Sequence, residues 1–190
     1  MGSLSSREQP LPITAEKYRS SRHKLFMEIA INFGKLCGNE KPLPLYIFRV
    51  ALFALLPAQL IFSILENFGL IIGQVDTRAN NSFSGIIVHY IDLLLLTPWI
   101  ETLLMVVVFF VLRVCRVPST MLLWVSALAW AALHSYTRQL AYGVVVFWPF
   151  VMFSAIFLKH ELVNRNHAVV YTSVVHCAYN ILSLVFHWNI

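Results

Sequence analysis

Asp92-Leu93-Leu94-Leu95-Leu96-Thr97-Pro98-Trp99-Ile100-Glu101-Thr102-Leu103-Leu104-Met105-Val106-Val107-Val108-Phe109-Phe110-Val111-Leu112 is the stretch that decides the fold. After its opening Asp92, one charged side chain, Glu101, interrupts an otherwise apolar run. Traced back to Phe83, the segment reaches thirty residues, when about 20 suffice to cross the hydrocarbon of a bilayer. Pro98 stands in its middle. Proline has no N–H to donate, and its ring meets the carbonyl four residues back, so a helix kinks or breaks there. The reading is one helix up to about Thr97 and a second beginning near Pro98, with the residues just after the break aimed into a bundle.

Four more apolar segments lie around this one, at about 45–73, 119–135, 140–158 and 168–188. Polar breaks at 74–82, 113–118, 135–139 and 159–167 separate them. Hydrophobic residues make up 58% of the 190, and charged residues 12%, about half the charged share of an ordinary soluble domain. So few charges cannot cover so much apolar side chain in water, which excludes a soluble globular domain. The sequence predicts an all-α, polytopic transmembrane bundle of about five spans over residues 45–190, preceded by a cytoplasmic tail at 1–44. Within that tail, residues 14–37 carry Leu25, Phe26, Ile29, Phe33 and Leu36 on one face, the pattern of an amphipathic helix lying on the membrane surface. Met1-Gly2-Ser3-Leu4-Ser5-Ser6 also fits the loose N-myristoylation pattern.

The formal net charge is +5, and its placement carries topology. Threading five spans from a cytoplasmic N-terminus puts twelve Lys and Arg inside, among them Arg113, Arg116, Lys159 and Arg165, and only Arg78 and Arg138 outside. Basic residues flanking spans mark the cytoplasmic side, so this threading is favoured over its inverse. The same bias points to anionic lipid as the partner of the basic residues and not to nucleic acid. Cys37, Cys115 and Cys177 have no paired spacing, which argues against a disulfide framework or a zinc ribbon.

A strongly polar side chain near the bilayer centre costs about 2.5–3.5 kcal/mol on insertion scales, so each one inside a span needs a reason. The candidates are Glu66, His89, Asp92, Glu101, His134, His176 and Asn180. Glu66 falls near the outer end of the first span and reads as interfacial. His89 and Asp92, three apart on one face, read as an accessory pair. Counted by helical rise from the cytoplasmic ends, Glu101 and Asn180 lie at about 18 Å, His134 at about 22 Å and His176 at about 12 Å. A carboxylate, two imidazoles and a carboxamide on three spans thus share one layer, with Asn180 one turn from His176 on the same face.

These residues resemble the three motifs of the CPBP family, the CAAX proteases and bacteriocin-processing proteins also called Abi, which includes the type II CAAX prenyl endopeptidases. The family pattern is Glu-Glu-x-x-x-Arg, then Phe-x-x-x-His, then His-x-x-x-Asn or Asp. The matching stretches are Glu101-Thr102, Trp130-Ala131-Ala132-Leu133-His134 and His176-Cys177-Ala178-Tyr179-Asn180, in the same order on separate spans. The chain departs from the pattern at Thr102, where the family has its second Glu, and at Val106, where it has Arg. The resemblance implies an intramembrane endopeptidase in which Glu101, helped by His134, activates a water while His176 and Asn180 stabilise the oxyanion. It implies a membrane-embedded or lipid-anchored peptide substrate and, from the short five-span form, a bacterial plasma membrane. Glutamate-activated water without a cofactor is favoured; zinc held by Glu101, His134 and His176 is the alternative. A non-catalytic scaffold derived from the family and a small proton-relay transporter are the competing functions.

Overall fold

The computed structural model describes residues 43–71 and 83–187, and every regular element in them is helical. The amphipathic helix expected at 14–37, the myristoylation pattern and the connection at 74–82 lie outside the described residues. Four helices are long and apolar enough to cross a membrane: Leu43–Asn67, Ile86–Val114, Leu140–Glu161 and Arg165–Phe186. The protein is a multi-pass helical bundle.

The first helix, α1 (Leu43–Asn67), buries Val50, Ala51, Ala54, Leu55 and Ala58 along one stripe. Small residues at a helix face let backbones approach closely, which is the main source of association where lipid is as apolar as the partner helix. Apolar sequence continues to residue 73, yet the helix stops at Asn67. Gly69 takes a positive φ of 68°, a conformation open to glycine. Its N–H and that of Leu70 then pair with the carbonyls of Glu66 and Leu65, a Schellman closure of the helix end.

The segment read as broken at Pro98 stays helical throughout and changes pitch instead. Helix α2 (Phe83–Ile91) passes into a π-helical turn, Asp92–Leu96, and then into α3 (Thr97–Val114). The N–H of Thr97 bonds the carbonyl of Asp92, five residues back. One extra residue is thereby absorbed, and Pro98 falls at the start of α3, where its missing N–H leaves one carbonyl of the turn to be bonded from elsewhere.

Helix α4 (Ser119–Thr137) occupies the place of the remaining expected span. At nineteen residues it rises about 28 Å, but Ser126, His134, Ser135 and Tyr136 make it less apolar than the other four. It packs mainly on α5 (Leu140–Glu161), which is the centre of the bundle: 61% of its span is buried, against 22–28% for the other three candidate spans. The two helices meet most closely where Gly143 of α5 faces Ala131 and Ser135 of α4. The last helix, α6 (Arg165–His187), begins three residues before the apolar run because Asn164 Oδ1 accepts from the backbone N–H of Asn166 at 2.8 Å, a capping bond.

Rings fill the interior, with Phe109 stacked on Phe157 at 5.2 Å and Trp130 on Phe150 at 4.7 Å. Large apolar residues such as Leu60, Val88, Leu103 and Phe110 remain exposed. On a soluble protein such a surface would aggregate; here it is the face offered to lipid. At one end of the bundle Arg113 forks onto Glu161, with Nη1–Oε1 at 2.9 Å and a second contact between Nη2 and Oε2. This pair ties α3 to α5 on the face that also carries Arg116, Lys159 and Arg165.

Candidate functional site

Glu101, His134 and His176 come together from three helices. Glu101 is just past the first turn of α3, His134 one turn from the end of α4, and His176 halfway along α6. The carboxylate stands between the two rings: Oε1 is 3.7 Å from His134 Nε2 and Oε2 is 3.5 Å from His176 Nε2. Their common layer, read from helical rise, is a real adjacency.

Both imidazoles are held by their neighbours. His134 Nδ1 lies 3.0 Å from the Trp130 carbonyl. A carbonyl can only accept, so Nδ1 carries the hydrogen, and in the neutral ring the lone pair of Nε2 faces Glu101. His176 is buried, 5% exposed, and its ring stacks on Phe153 at 4.3 Å. Two hydrogen-bond acceptors, Nε2 of His134 and the Glu101 carboxylate, therefore face one space where a water can donate to each.

That space is a cavity of about 300 Å³. The cavity lies toward the α4–α5 turn, lined from His89 to Glu101 on α2 and α3, from Tyr142 to Phe153 on α5 and from His176 to Leu184 on α6. None comes from the end marked by Arg113 and Glu161. The floor holds Glu101 and His176, and the rim holds Arg138 and His89.

Asn180 enters the site through the backbone. Its Nδ2 donates to the Leu93 carbonyl at 2.9 Å. In a π-turn that oxygen would take the N–H five residues on, which is Pro98 and has none; the nearer N–H, on Thr97, is already given to Asp92. The carboxamide thus supplies the bond that proline withholds, and it joins α6 to the turn that delivers Glu101. One amide hydrogen is committed there and the other remains. An unpaired buried carbonyl costs about 1–3 kcal/mol, so Asn180→Ala should lower the thermal midpoint of the purified protein by several degrees. Pro98→Ala restores an N–H, and in a double-mutant cycle the Asn180→Ala penalty should shrink in its presence. Equal penalties in both backgrounds would refute the assignment.

The two departures from the family pattern have clear positions. Thr102 is 1% exposed and gives its hydroxyl to the Pro98 carbonyl at 2.8 Å. Val106 packs against the core. Neither lines the cavity.

The accessory pair is not formed. His89 lines the cavity while Asp92 is exposed at the start of the π-turn, and among the described residues no ion pair joins them. Glu66 sits at the exposed end of α1, where it was expected. Cys177 is a half-buried free thiol that does not line the cavity. Among the described residues, no group of three or more His, Cys, Asp or Glu side chains is arranged to hold a metal ion.

Sequence reasoning passed over Arg138 and the aromatic wall. Arg138 is exposed at the end of α4, one turn past His134, with its guanidinium carbon 5.3 Å over the Tyr142 ring. Tyr142 in turn lies face-on to His134 at 6.3 Å. The signal was present in the four-residue spacing from His134, but Arg138 was read only as one of two cations on its side of the membrane. No family model matches the chain, and no curated protein or solved structure matches it either.

Proposed function

We propose that the chain is an intramembrane endopeptidase of the CPBP type, hydrolysing a peptide bond of a membrane-embedded or lipid-anchored protein or peptide. The observation that carries this reading is the carboxylate of Glu101 set between two fixed imidazoles in a cavity walled by apolar helices. A poorly solvated carboxylate is a stronger base than one in water. Water in the cavity gives one proton to Glu101 as its oxygen bonds the scissile carbonyl carbon, while His134 Nε2 accepts its other hydrogen. The oxyanion that forms takes hydrogen bonds from His176 and from the free amide hydrogen of Asn180, donors worth several kcal/mol in a dry site. Glu101 then passes its proton to the leaving nitrogen as the C–N bond breaks, releasing a carboxylate-terminated and an amine-terminated fragment.

Thr102 and Val106 are compatible with this scheme, because both positions face the core and a group there would not reach the water. The test is cleavage of a membrane-reconstituted peptide by the wild-type chain and by Glu101→Gln and His134→Ala. Undiminished cleavage in both variants would sink the mechanism.

The distribution of basic residues supports a cytoplasmic N-terminus, and the membrane is proposed to be a bacterial plasma membrane. In that orientation the cavity opens away from the cytoplasm, since its rim lies at the end opposite Arg113, Arg116, Lys159 and Arg165. With Cys37, Cys115 and Cys177 replaced, Arg138→Cys should react with an impermeant maleimide in intact cells, and Arg116→Cys only after permeabilisation. The reverse pattern would overturn the orientation.

A further inference from the structure

We propose that Arg138 is the specificity-determining residue of this cavity, binding a carboxylate of the peptide within a few residues of the scissile bond. The proposal rests on the peptidase reading of the Glu101 site and adds the substrate class to it.

The charges along the cavity are ordered. Its one carboxylate, Glu101, is at the floor, and its one guanidinium, Arg138, is at the rim. The other titratable groups facing this space are His134, His176 and His89, with the phenols of Tyr142 and Tyr179. An acidic group entering such a space is repelled by Glu101 and drawn to the rim. A cationic group is turned away where it would enter.

Arg138 is prepared for an anion. Its guanidinium rides over the Tyr142 ring, which holds it by the face. The N–H donors lie in the guanidinium plane, so this contact leaves them available for a carboxylate. Among the described residues no carboxylate pairs with Arg138, whereas the fork of Arg113 is occupied by Glu161. Arg138 is also one of two cations on the side of the membrane where the chain otherwise avoids them.

Contacts set the reach. The guanidinium carbon of Arg138 lies 5.3 Å from the centre of the Tyr142 ring, and that ring lies 6.3 Å from the His134 ring. An extended peptide, at roughly 3.3 Å per residue, covers such a path in a few residues. The carboxylate is an Asp or Glu side chain within that reach, or the C-terminal carboxylate of a peptide ending there.

The experiment measures binding in Glu101→Gln protein reconstituted in liposomes, so that no turnover is needed. The probes are fluorescein-labelled short apolar peptides with Asp or Asn walked through each position, each as free acid and as C-terminal amide. The Asp peptide should bind about ten-fold tighter than its Asn counterpart, the scale of a charge-assisted hydrogen bond. Arg138→Gln should reduce the Asp peptide to the Asn level, and Arg138→Glu should turn the preference toward a Lys peptide, a gain that misfolding cannot mimic. A preference that follows the free C-terminus supports the proposal and assigns the carboxylate to the chain end. Equal binding of all the peptides, or an acidic preference that survives Arg138→Gln, overturns it. If the wild-type chain cleaves none of the peptides, the peptidase reading fails separately, because the Arg138 preference is read without cleavage.

Discussion

If the chain cleaves peptides as proposed, Glu101→Gln should lower the rate by about 10³-fold, the usual weight of a positioned general base, while leaving the protein folded. The amide has nearly the shape of the carboxylate and keeps one acceptor oxygen, so the contacts with His134 and His176 are close to preserved. What it loses is the ability to take a proton from water. The loss should therefore fall on kcat and spare KM, the pattern of an interaction made only in the transition state. His134→Ala should also fall, by a smaller factor, because in the proposed mechanism His134 orients the water without being its proton acceptor. Single-turnover cleavage in liposomes, alongside thermal unfolding of the same preparations, separates the chemical loss from any structural one. A Glu101→Gln enzyme with wild-type kcat would leave Glu101 without the role given to it.

Gly143→Ala carries the second large effect, this time through packing. A Cβ at position 143 would run into the Ser135 hydroxyl and the Ala131 carbonyl on α4. The hydroxyl can rotate, but the carbonyl is backbone, so α4 must move as a body. Overpacking of this kind costs typically 1–3 kcal/mol, and the upper figure, about 3 kcal/mol, is expected here. Ser135 also gives its hydroxyl to the Leu140 carbonyl at 3.1 Å, closing the α4–α5 turn, and that bond is lost at the same time. Because His134 and Arg138 flank Ser135, cleavage should fall further than the loss of folded protein explains. Ser135→Ala alone removes the hydroxyl but not the clash with the carbonyl, so Gly143→Ala should stay destabilising when combined with it. Wild-type stability in Gly143→Ala would show that the helices do not approach as closely as the structure has them.

Much of the architecture was legible because hydropathy and spacing are local. The apolar segments matched helices to within a few residues wherever they fall in the described region. The differences trace to particular groups: Gly69 ends α1 before its apolar run does, and Asn164 starts α6 ahead of its own. Pro98 announced a disturbance, but its form depended on what lies beside it. A proline can end a helix or widen it by one residue, and here Asn180, from a helix more than eighty residues on in the chain, stabilises the widened turn by bonding the Leu93 carbonyl.

The sequence by itself determined that the protein belongs to a bilayer and is helical, and that Glu101, His134, His176 and Asn180 lie at similar depth. Those properties follow from transfer free energy and helical rise, which need only the order of residues. Tertiary structure decided the rest: that Glu101 lies between the two imidazoles, that Thr102 and Val106 face the core, and that the cavity ends at Arg138 and Tyr142. Depth along a helix is a one-dimensional quantity, whereas the direction a side chain faces depends on how each helix is rotated against its neighbours. That rotation is set by contacts such as Gly143 against Ala131, between residues whose pairing no local pattern records.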